Sequence, residues 1–245
     1  MATDVPDALR QYWDADAPTY DDWPEHGAWT PGEKAAWAST LARSMDTPRA
    51  RVLDVGAGTG FLSLAAAQLG CQVTALDISP AMLQRLRESA ARENLEIETI
   101  CAAAEEPPPG PFDVVMERLL LWTLPDPGPA LAAWREVTPH GQLLAFESHT
   151  GRDYLEGLRR RARKRLARVR RLHEHHGPYP PEVRTILPIR GERWPSGLIQ
   201  RIEGAGWQSP QLTRLRDVAW ARELALPPLY RLLGVTPEYL VSARS

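Results

Sequence analysis

The sequence predicts an α/β fold: a parallel sheet with helices packed on both faces. Three observations carry that expectation. From residue 51 to 148 short apolar runs alternate with amphipathic stretches of helical period, and repeated βα units build parallel sheets buried on both sides. A loop with glycines at alternate positions, Gly56, Gly58 and Gly60, joins the first run to the helix after it. A second apolar run, about twenty residues later, ends in the carboxylate of Asp77.

Strands are expected near 51 to 55, 72 to 76, 96 to 100, 112 to 117 and 142 to 147. Between the first two, residues 61 to 70 join strong helix formers to a glycine stop, Gly70. The next helix starts with Ser79 as cap and Pro80 in its first turn, and Met82, Leu83 and Leu86 share its sheet-facing side. A helix near 128 to 137 follows Asp126-Pro127-Gly128 and stops before Pro139. Further on, a helix near 196 to 205 and strands near 207 to 214 and 238 to 243 are expected.

At 245 residues the chain suits one buried α/β core with a small addition. Its formal net charge of −2 provides no global attraction to nucleic acid or to a membrane surface. Neither a leader-like basic and apolar segment nor a spanning apolar run is present, so the protein is expected to be cytoplasmic, as a monomer or homodimer. Arg far outnumbers Lys, and Ala and Pro abound, a usage typical of high-GC bacteria. Cys71 and Cys101 flank strands where small buried residues are usual, so both are expected as reduced core thiols.

The glycine loop and the strand-end carboxylate together point to a nucleoside cofactor. Glycine lets backbone approach a ligand closely, and a carboxylate can accept two ribose hydroxyls. A dinucleotide loop sets a helix N-terminus against pyrophosphate, whereas here Asp54 precedes the glycines and would repel a phosphate while suiting a cationic ligand.

The run Val52-Leu53-Asp54-Val55-Gly56-Ala57-Gly58-Thr59-Gly60 resembles the first motif of the class I S-adenosylmethionine (SAM) methyltransferases, of bacterial small-molecule type. The likeness continues through Asp77, Phe112-Asp113-Val114-Val115-Met116-Glu117, Leu124-Pro125-Asp126-Pro127 and Gly141-Gln142-Leu143-Leu144-Ala145-Phe146. It implies a Rossmann-like, seven-stranded, mostly parallel sheet ending in an antiparallel hairpin. The cofactor-binding core would span 46–148 and the closing part of the sheet 193–245. Two segments would be added to it: an aromatic N-terminal lid at 1–45 and an Arg-rich helical cap insertion at 149–192.

By the same resemblance Gly56, Ala57, Gly58 and Gly60 pass under the methionine part of SAM, and Asp54 meets its ammonium directly or through water. Asp77 takes the ribose hydroxyls, with Ile78 and Met82 against the adenine. Relatives carry an acid for the adenine amino group where this chain has Ala102-Ala103-Ala104-Glu105, so that contact falls to backbone near Ala103 and Ala104 or to Glu105. Glu117 and Arg118 end the fourth strand beside donor and acceptor, with Leu121 and Trp122 lining the site; an ion pair between neighbouring elements is the plainer reading of the two charges.

Four of the nine tryptophans lie in the first 37 residues, together with Tyr12 and Tyr20, which suits a lid that shapes an apolar acceptor pocket as well as it suits helices packed on the sheet. Tyr20, in the pair Tyr20-Asp21, is expected near SAM by resemblance. His26 is a candidate base because an unperturbed imidazole titrates near neutrality; Glu147 and His149, beyond the fifth strand, are candidates on the same footing. His173, His175 and His176 lack the companion ligands of a tetrahedral metal site, and no metal is expected. Residues 159 to 171 hold nine cations in thirteen positions, a possible RNA contact, yet Leu155, Leu158, Ala162, Leu166 and Val169 fall at helical spacing and leave the arginines on a solvated face.

The function implied is methyl transfer from SAM, leaving S-adenosylhomocysteine (SAH), to a nitrogen, carbon or oxygen of a small metabolite, with natural-product biosynthesis as the expected setting, by in-line displacement in a closed pocket. Two alternatives stand beside it: an RNA methyltransferase using the Arg-rich helix, and a SAM-binding protein that transfers nothing.

Overall fold

The computed structural model describes residues 5–22, 26, 30–148, 179, 194–226 and 231–245. The Arg-rich helix, His149, His173, His175, His176, Trp23 and Trp29 lie outside the described residues. Strands β1 (Arg51–Val55), β2 (Gln72–Asp77), β3 (Ile97–Cys101), β4 (Val114–Arg118), β5 (Gln142–Ser148), β6 (Gln208–Arg214) and β7 (Glu238–Arg244) form one sheet. Its order is β3-β2-β1-β4-β5-β7-β6, and β7 runs antiparallel to both its neighbours. This is the Rossmann-like, seven-stranded, mostly parallel sheet that the resemblance implied.

Alternation along the inner strands buries both faces of the sheet. Leu53, Val55, Val115, Leu143 and Ala145 pack against Leu131 and Trp134 of α5 (Pro127–Glu136) and Ile202 of α6 (Ser196–Gly204). Val52, Val114, Met116, Leu144 and Phe146 face Trp37 and Leu41 of α2 (Pro31–Ser44) and Leu62 of α3 (Phe61–Gln68). Helix α4 (Pro80–Arg92) begins as its sequence predicts: Ser79 accepts the Met82 N–H, Pro80 opens the first turn, and Met82, Leu83 and Leu86 are buried. Helix α2 carries a full capping box, in which Thr30 and Glu33 satisfy each other's backbone N–H groups. The N-terminal segment starts with α1 (Val5–Asp16) and a 3-10 turn over Tyr20–Asp22. Tyr179, from the expected cap insertion, stacks on Tyr12 with ring centroids 4.4 Å apart.

Two expectations need correction. Cys71 is buried, but Cys101 is exposed, because β3 is the edge strand and alternates only partly buried positions. Helix α7 (Arg216–Ala225) was not foreseen: it buries Val218 and Arg222 while Trp220 is 64% exposed, so its pattern of apolar residues does not trace its buried side.

Candidate functional site

The glycine loop leaves β1 and turns over the end of β2. Gly56 and Ala57 donate to the Leu76 carbonyl at 2.8 and 3.0 Å, and Gly58 donates to Asp77 Oδ2 at 2.8 Å. Gly56 has φ of +67°, and a Cβ there would lie 2.8 Å from Leu120 Cδ1, so loop and β4 edge approach only because no side chain intervenes. At Gly58, by contrast, a Cβ would meet nothing within 4 Å. That bare backbone faces a cavity which Gly56, Gly58, Asp77, Ile78, Met82, Ala103, Ala104 and Glu105 help to line. Gly56→Ala is expected to cost about 2 kcal/mol, from the left-handed backbone and the displaced Leu120, and a urea titration measures it.

Asp77 is 8% exposed and holds loop and helix together: Oδ2 accepts from Gly58 and Oδ1 from the Ser79 N–H at 2.8 Å. Each oxygen keeps a lone pair for a further donor. Burial pushes the carboxyl up to about 6, against those two N–H groups. Asp54 is turned elsewhere. It is 2% exposed, accepts the Ser63 hydroxyl at 2.5 Å, and is pushed up to about 7 by burial, so it sits beneath the loop and not among the described lining residues. Ala57 and Gly60 likewise shape the loop from outside the described lining.

Beyond β1 the wall is built by the end of β4. Arg118, Leu119, Leu120, Thr123, Leu124 and Pro125 line it. Leu119 has φ of +60°, a conformation leucine rarely adopts, and it is held there by its N–H on the Phe146 carbonyl and by Leu120 N–H on Glu117 Oε2 at 2.9 Å. Glu117 itself is fully buried behind this turn, and its Oε1 has no hydrogen-bond partner among the described residues. Burial and the neighbouring Glu147 raise it well above the usual carboxylate range; Glu147, 5% exposed, is pushed by burial to about 8. Leu121 lies in the core and Trp122 packs toward Tyr179, so neither is among the described lining residues where both were expected.

A carboxyl whose folded pKa exceeds its unfolded value holds its proton in the folded state across that window. Stability of the free protein is therefore expected to fall as pH rises from about 4 toward 8, and Glu147→Gln should flatten the upper part of that fall in denaturation curves taken at several pH values.

The roof comes from the N-terminal segment: Pro6, Leu9, Trp13 and Tyr20 line the cavity. Two carboxylates fasten it. Asp14 Oδ1 accepts Ser79 Oγ at 2.6 Å, and Asp21 Oδ1 accepts Thr59 Oγ1 at 2.6 Å, so the roof is bonded to the elements that carry Asp77 and the glycines. Tyr20 is pushed up to about 12 by burial and stays protonated at neutral pH. His26 packs on Tyr20 with ring centroids 3.9 Å apart and planes tilted by 37°, and its Nδ1 lies 3.1 Å from the Tyr20 carbonyl, outside the described lining.

The structure thus gathers Tyr20, Gly56, Gly58, Asp77, Ile78, Met82, Ala104, Glu105 and Arg118 around one cavity. It leaves Asp54, Ala57, Gly60, Glu117 and His26 behind or beside it. Sequence reasoning missed Asp14 and Asp21, whose aromatic neighbours drew the attention, and Leu119, whose backbone strain leaves no trace in residue type.

A family model described as "Methyltransferase domain" matches residues 52–141. A ubiquinone biosynthesis O-methyltransferase of Xanthomonas campestris pv. campestris is 39% identical over 122 residues, 48% of this chain and 47% of that protein. The chain thus spans about half the length of that curated relative. Among solved structures, magnesium protoporphyrin IX methyltransferase from Synechocystis PCC 6803 with bound SAM has TM-score 0.63 at 13% identity, covering 100% of this chain and 99% of that one. The cyclase SpnF has TM-score 0.63 at 16% identity, covering 100% and 97%. At such identities these two share the fold. The stretch matched by the family model runs from β1 to the residue before β5, through the glycine loop, Asp77 and the β4 edge, and over these residues the chain is similar to a methyltransferase domain.

Proposed function

We propose that this chain transfers a methyl group from SAM to a nitrogen, carbon or oxygen of a small metabolite of natural-product type, in a pocket roofed by its own N-terminal segment. One observation carries the reading: a bare glycine backbone and the buried carboxylate of Asp77 share a cavity with Trp13, Tyr20, Leu119 and Leu120. When bound, SAM supplies an electrophilic methyl on a sulfonium.

The residues present fit that cofactor. Asp77 offers ribose hydroxyls the lone pairs that Gly58 and Ser79 leave, and Ile78, Met82, Ala103 and Ala104 form an apolar slot for adenine with Glu105 at its edge. Trp134 Nε1–H takes the Ala104 carbonyl at 2.7 Å, which favours Glu105 and Ala103 for any contact to the adenine amine. A roof drawn over both reactants would exclude water, and holding reactants in line in a dry site supplies much of the acceleration. Tyr20, protonated, is able to donate a hydrogen bond to an acceptor and removes no proton. His26, parked on Tyr20, would act as base only after moving off that ring. Positioning therefore does most of the work, on an acceptor that brings its own lone pair or electron-rich carbon.

Tritiated SAM offered with a metabolite extract and with bulk RNA tests this. Label is expected in small molecules and absent from RNA. Label in RNA would overturn the acceptor class, and tight SAM binding without transfer to either would overturn the enzyme reading.

A further inference from the structure

Behind the cavity four buried charges alternate across three elements and the end of β4. Glu33 of α2 accepts from Arg222 Nε of α7 at 3.2 Å; Arg222 also bonds Glu238 of β7; and Glu238 Oε1 accepts Arg118 Nη2 at 3.1 Å. Their side chains are 5 to 10% exposed. Burial alone would raise the Glu238 carboxyl, but Arg118 and Arg222 outweigh it and hold it below its usual range. Of the four only Arg118 lines the cavity.

Its guanidinium is fixed from more than one side. It lies 4.2 Å from the Phe61 ring centroid and 5.3 Å from that of Trp37, with Glu238 at its edge. An arginine so held has already lost the rotamer freedom that an anion would otherwise have to remove, and its planar fork suits a carboxylate. Among the described lining residues Arg118 is the one cation, while the acid Asp77 ends β2 and the acid Glu105 follows β3. Because β4 and β2 lie on opposite sides of β1, charge reverses across the cavity. With adenosine on the Asp77 side, as the cofactor reading above has it, the amino-acid tail falls toward β4.

We propose that Glu238 is a positioning residue for the cofactor: through its ion pair it sets Arg118 as the receptor for the carboxylate of the methionine tail. The proposal rests on the SAM reading of the same site. Calorimetric titration with SAH and with 5′-methylthioadenosine, which keeps the nucleoside and lacks the amino-acid carboxylate, tests it. Glu238→Gln is expected to weaken SAH about tenfold and 5′-methylthioadenosine less than twofold, and Arg118→Gln should show the same selectivity. Should Glu238→Gln fail to fold, Glu238→Asp, which keeps the charge but shortens the reach, is expected to show the selective loss in smaller measure. Equal losses on both ligands, or none on either, would overturn the proposal and leave a structural ion pair. A wild-type protein that binds neither nucleoside would instead overturn the cofactor reading, and this inference with it.

Discussion

Replacing Asp77 by alanine is expected to raise the SAM dissociation constant at least tenfold, about 1.4 kcal/mol, in calorimetric titration. Two losses combine. The ribose hydroxyls lose their acceptor, and the Gly58 and Ser79 N–H groups lose the anchor that joins the glycine loop to the start of α4. Asp77→Asn separates them, since the amide oxygen can still accept one of those N–H groups while the charge is gone. The wild-type protein carries its own control. Burial places the free carboxyl at about 6, and ribose donors favour the ionised form, so binding releases a proton when it begins below that pH. Affinity is thus expected to level off above pH 6 and to fall toward tenfold per unit below it, a slope the alanine variant should lack. Unchanged affinity in Asp77→Ala would remove Asp77 from the site.

Most of the sheet was legible because a buried parallel strand needs an apolar run and the crossover helix after it needs a cap and a stop. Ser79-Pro80 and Asp126-Pro127 give such starts, and the helices begin there. The two closing strands were expected near 207 to 214 and 238 to 243, but their antiparallel pairing was legible only through resemblance, since β6 is largely exposed and its residues, Gln208–Arg214, carry no apolar alternation. Helix α7 escaped because one of the residues it buries is an arginine, Arg222, whose partners come from far along the chain.

The same distinction holds at the site. Gly56, Gly58 and Asp77 act through backbone freedom and a strand-end charge, properties that residue type and spacing record. Asp54 looked like a ligand on those terms, but Ser63 nine positions on, in the first turn of α3, donates its hydroxyl to that carboxylate. Asp14 and Asp21, which bond the roof to Ser79 and Thr59, depend on where an irregular segment crosses the sheet edge, and no local pattern encodes that crossing. Glu238 is the extreme case, 120 residues from Arg118.

Arg222→Ala is expected to be the most destabilising of these substitutions, by about 3–5 kcal/mol, with a fall in Tm of roughly 10 °C. Arg222 stands between Glu33 and Glu238, which are 4% and 6% exposed, and its removal leaves two buried carboxylates with half their compensation. Glu33 keeps its capping bonds to Thr30, and Glu238 keeps Arg118, so the loss is partial and the fold should survive at low temperature. The cost also has a sign in pH. Without Arg222 the Glu238 carboxyl loses one of the two cations that hold it low and rises toward protonation in the folded state, so acidification relieves the variant more than the wild type. The stability gap is therefore expected to be wider at pH 8 than at pH 5. Arg222→Met, which restores packing but not charge, should recover only a small part of the loss; a full recovery would mean that volume, not the alternation of charges, holds α7 against α2 and β7.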